Sequence, residues 1–109
     1  MQERVIRDGC VAVLYSPGHG AGWSTWVHTE GFDIKAMYDP EIVQWVLDGK
    51  PKNHFDSEYF NVKYDEYFYT GGMQQLEVAW VPVGQKFIIR EYDGSEYIET
   101  VDSIDWYVA

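Results

Sequence analysis

LEVAWVPVGQKFIIREYDGSEYIETV, residues 76–101, decides the fold class of this chain. LEVAWV (76–81) alternates, placing Leu76, Val78 and Trp80 on one face of a strand. Pro82-Val83-Gly84-Gln85 is a turn signal, and KFIIREY (86–92) is expected to pair back across it. Asp93-Gly94 is the strongest short hairpin signal, because both residues accept the positive φ that a two-residue turn needs. It leads into SEYIETV (95–101), and IDWYVA (104–109) could close the sheet edge.

Upstream, CVAVLY (10–15) follows the turn signal Asp8-Gly9 and reads as a buried strand, short and apolar throughout. SPGHGAG (16–22) breaks it, and WSTWVH (23–28) is expected to resume extended structure. One helix is expected over 39–49. Asp39 can accept from orphan N–H groups at the helix start, Pro40 needs no donor there, and Glu41 complements the positive end. Ile42, Val43, Val46 and Leu47 share a face, and Gly49 stops the helix before Pro51. The segment 54–72 is ambiguous: 54–60 reads as a possible helix, and 64–69 as a strand or an aromatic loop. The expected fold is α+β: a bent antiparallel sheet or partial barrel of five to six strands with one short helix.

A chain of 109 residues supports one domain, 1–109, with one core. No stretch approaches a membrane span, and MQERVIRDGC lacks the apolar run of a signal peptide. Eight Lys+Arg against 18 Asp+Glu give a net charge of −10, the wrong sign for a protein that grips a phosphate backbone, so no direct nucleic-acid binding is expected. The lone Cys10 excludes an internal disulfide, and its apolar strand marks a core thiol. His19, His28 and His54 have no metal-ligand spacing, so no metal site and no cofactor are expected. GxSxG, HExxH and GxxxxGK[ST] do not occur, and no catalytic residue is assigned.

Two regions stand out as candidate sites. In the first, residues 16–26, glycines at every second position bare backbone N–H groups that could cradle an anion. Ser16, Gly18, His19, Gly20, Gly22, Ser24 and Thr25 would hold phosphates, and Trp23 or Trp26 would stack on a base. The ordinary alternative is a bulged turn with tryptophans in the core. The second is an acidic, aromatic surface made by Tyr64, Asp65, Glu66, Tyr67, Glu91, Asp93, Glu96 and Glu99. Acids on alternate strand positions lie roughly 6.6 Å apart, near the spacing of phosphates, and could face a basic groove. The alternative there is a solvated sheet face kept unpaired by charge. Tyrosine beside acid also suits an interface.

VLYSPGHGAGWSTW, MYDPEIVQWVLDGK, YFYTGGMQQLEVAWVPVGQKFIIREYDGSEYIE and DWYVA, in that order, resemble a family of small uncharacterised proteins encoded by tailed bacteriophages and prophages. The resemblance implies a context rather than an activity: an accessory protein made in the bacterial host cytoplasm, of a kind that often inhibits host machinery or immunity. The expected function is therefore a non-catalytic binding protein that inhibits a host defence or nucleic-acid-processing protein with a basic surface. The alternative is a protein that sequesters a nucleotide immune signal in loop 16–26. A small hydrolase and a virion component are further options, and a homo-oligomer is possible.

Overall fold

A computed structural model describes residues 4–18, 22–26, 31–51, 75–100 and 108–109. Strand β1 (Ile6–Arg7) turns through Asp8 and Gly9, at φ of 51° and 76°, into β2 (Cys10–Tyr15). β2 pairs antiparallel with β1 on one side and along its full length with β3 (Glu77–Pro82) on the other, with Ala12 opposite Trp80. At its far end the Tyr15 hydroxyl donates to Glu77 Oε2 at 3.2 Å. Burial, reinforced by this bond and by the Glu77 charge, pushes the Tyr15 phenol above its ordinary range.

A second sheet holds β4 (Phe87–Tyr92) and β5 (Ser95–Thr100), joined at Asp93-Gly94 with φ of 51° and 86°. Both central residues at positive φ match the twist of the flanking strands, as the sequence predicts. The fold is α+β with antiparallel strands, and the five described strands divide over two sheets of three and two.

That division corrects the expected return of 86–92 onto 76–81. The turn after β3 does form, with Gln85 N–H donating to Pro82 O at 2.9 Å and Gly84 at φ 84°. β4 nevertheless leaves the sheet. The reason lies in β2, whose side chains are apolar on both faces. One face joins Ala12 and Leu14 to Leu76, Trp23, Ala36, Ile42, Val43 and Trp45. The other joins Val13 and Val81 to Tyr38, with Met37, Phe87, Ile89 and Ile98 packed against them. A strand of this kind needs cover on both sides. Helical segments cover the first face, and the β4–β5 hairpin covers the second instead of widening the sheet.

Among the described residues two helices precede β3, where the sequence reading placed one over 39–49. α1 (Phe32–Tyr38) and α2 (Pro40–Leu47) are separated by Asp39 alone. A residue before proline is pushed out of the helical region, and Asp39 sits at φ −52°, ψ 112°. Asp39 Oδ1 accepts from the N–H groups of Glu41 at 3.0 Å and Ile42 at 3.3 Å, so the expected cap forms. Ile42 and Val43 are fully buried, and Val46 and Leu47 half-buried. Trp45, outside the expected face, is buried too, its indole N–H donating to Pro51 O at 2.9 Å. Beyond α2, Gly49 takes φ 85° and Lys50 N–H donates to Trp45 O at 2.9 Å. The expected features at 54–72 and 104–107 lie outside the described residues.

Candidate functional site

The glycine-rich loop and the acidic hairpin, separate in the sequence reading, meet at one side chain. In the β4–β5 register Glu91 lies opposite Glu96. Two acids directly across a ladder repel unless each finds donors, and both find them in residues 16–26. Glu96, 1% exposed, enters the loop. Ser16 N–H donates to its Oε1 at 2.9 Å. Trp23 N–H donates to Oε2 at 2.7 Å, Thr25 N–H at 3.1 Å, and the Thr25 hydroxyl donates to the same oxygen. Two further bonds lock the loop mouth to β5: Glu96 N–H donates to Ser16 O at 2.7 Å and the Ser95 hydroxyl to Pro17 O at 2.8 Å.

Glu91 makes the second tie. It accepts from the Trp26 indole N–H at 3.0 Å and from Gly94 N–H at 2.6 Å. These two donors hold its carboxyl below the ordinary carboxylate range.

The loop therefore does build an anion nest of backbone N–H groups, and the anion in it is the chain's own Glu96. Over residues 23–26 this geometry corrects the expectation that WSTWVH resumes extended structure; Val27 and His28 lie outside the described residues. Drawing the N–H groups of Trp23 and Thr25 to one oxygen bends Ser24–Trp26 into a 3₁₀ turn, closed by Trp26 N–H on Trp23 O at 3.1 Å. Gly22 is required beside it, since a Cβ there would lie 2.6 Å from Trp26 Cδ1.

Each candidate residue takes a definite place. Ser16 is fully buried, Gly18 half-buried, Gly22 and Ser24 buried, and Thr25 exposed. Trp23 is a core residue whose indole N–H donates to Ala36 O at 2.8 Å, so it offers no stacking surface. Trp26 is half-buried against Glu91. His19 and Gly20 lie outside the described residues, as do Tyr64, Asp65, Glu66 and Tyr67. Of the acidic surface, Glu91 and Asp93 are exposed. Glu99 is paired with Arg90 at 3.1 Å. Glu96 faces inward and contributes nothing to a docking surface. Its role was missed because acids were counted by sequence position. The signal lay in the Asp93-Gly94 register, which sets Glu91 against Glu96 and so demands donors for both.

The outward face of the hairpin carries side chains that the acidic reading passed over: Ile88, Tyr92 and Tyr97 are 46, 79 and 48% exposed. Cys10 is half-buried in β2. Among the described residues no group of three His, Cys, Asp or Glu could hold a metal ion, and no helix is long and apolar enough to cross a membrane. No family model, curated protein or solved structure matches the chain.

Proposed function

We propose that this chain is a phage-type, non-catalytic binding protein that acts in the host cytoplasm by docking on a basic host protein of defence or nucleic-acid processing. The observation that carries the reading is the outward face of the β4–β5 hairpin. Exposed Ile88, Tyr92 and Tyr97 surround the Arg90–Glu99 pair, and Glu91 and Asp93 stand exposed at the hairpin tip. Large rings with polar tips over a rigid ladder give contact area at low entropy cost. The net charge of −10 attracts a basic partner and repels nucleic acid. The nucleotide-sequestering alternative draws no such support, because the N–H groups of Ser16 and Thr25, two of its phosphate-holding residues, already serve Glu96, and Trp23, one of its two stacking rings, is buried.

The test is affinity capture from bacterial lysate followed by a binding assay with the captured protein. The expected partner has a basic surface, its affinity falls steeply with added salt, and the double variant Tyr92→Ser/Tyr97→Ser weakens it at least tenfold. Binding indifferent both to salt and to the two tyrosines would overturn the proposal, as would turnover of a substrate dependent on Cys10 or Thr25.

A further inference from the structure

A groove of about 420 Å³ opens between the 3₁₀ turn, α1 and β4. Its walls are apolar, with Met37 from α1 and Phe87 from β4 inside and Ile34 and Ile88 on the exposed rim. Two hydroxyl-bearing residues of the lining are buried, Ser24 at 3% and Tyr38 at 7% exposure. The third, Thr25, spends its hydroxyl on Glu96. Arg4 stacks its guanidinium on the Tyr38 ring, 4.1 Å from the centroid, yet it is not part of the lining. Among the described residues neither the Ser24 nor the Tyr38 hydroxyl has a hydrogen-bond partner.

Buried hydroxyls are normally hydrogen-bonded, and two without such a partner on residues that line one groove leave donors for a polar atom there. Among the described residues no charged side chain lines the groove, so there an ionised ligand would lose its hydration with nothing in return. The volume falls within the usual range for small-molecule sites, and apolar walls with a few converging polar groups are their usual make-up. We propose that this groove binds a small neutral molecule, apolar over most of its surface, whose one carbonyl or hydroxyl oxygen meets Ser24 and Tyr38. The groove shares Ile88 with the hairpin docking surface but not Tyr92 or Tyr97, so the test of either can fail without the other.

Nile red tests it, being neutral and ring-shaped with a single carbonyl, and emitting more strongly and further to the blue in apolar surroundings. Titrated into the native protein, it is expected to saturate one site per chain. Ser24→Ala/Tyr38→Phe should weaken it at least tenfold, with the native circular dichroism retained. Ile34→Trp, on the exposed rim, should block the mouth and abolish binding without disturbing the core; it carries the test if the double variant fails to fold. The anionic dye 8-anilinonaphthalene-1-sulfonate should bind at least tenfold more weakly than Nile red. Three results would each overturn the proposal: no saturable signal from folded native protein, as a groove holding only water or accepting only a partner's side chain would give; affinity unchanged in the variants; or equal binding of the two dyes.

Discussion

Replacing Glu96 by alanine would leave the N–H groups of Ser16, Trp23 and Thr25 facing a hole in a buried site. Each buried donor without an acceptor costs roughly 1–3 kcal/mol, so the variant is expected to lose about 3 kcal/mol or more. Urea unfolding followed by tryptophan fluorescence measures this, and Glu96→Gln, which keeps one acceptor oxygen, should fall between. Glu96→Lys is accordingly a folding variant and says nothing about surface charge. Glu91 gives a pH signature instead. Its folded carboxyl titrates below the ordinary range, so the tie to Trp26 persists as pH falls through the normal carboxylate value and breaks only below it. A carbon-detected NMR titration of Glu91 should show the depressed midpoint in the native protein, and Trp26→Phe should move it back toward the ordinary value.

Among the elements, α2 and the second hairpin were legible because their ends carry specific chemistry. Asp39-Pro40-Glu41 states where a helix begins, and Asp93-Gly94 states where a strand reverses. Asp39→Ala should cost about 1 kcal/mol in thermal or urea unfolding, the usual loss of a capping oxygen. Gly94→Ala, at φ 86°, forces a side chain into left-handed backbone and should cost roughly 1–2 kcal/mol by the same measurement. α1 gave no comparable sign: it is seven residues long, and Gly31, at its N-cap, makes no side-chain cap. The 3₁₀ turn was illegible for another reason. Trp-Ser-Thr-Trp has strand-forming side chains, and only a carboxylate 71 or more residues away overrides that preference.

At the scale of the whole molecule, the apolar run of β2 announced a buried strand but not what would lie on each of its faces. Local pattern reports that cover is needed, and packing decides which element supplies it. Glu96 is also the joint between the two sheets, since it belongs to β5 and holds the loop that leaves β2. Hydrogen exchange should therefore show the β2–β3 and β4–β5 amides opening together in the native protein and separately in Glu96→Gln. The joint has a consequence for synthesis. β2 and its loop leave the ribosome well before the acceptor that shapes the loop, which is 80 residues downstream of Ser16. A nascent chain stalled before Glu96 emerges holds those N–H groups in water, with β2 short of the hairpin that stacks on it. Folding of this loop thus waits on the synthesis of β5, and until then the apolar strand before it is the chaperones' concern.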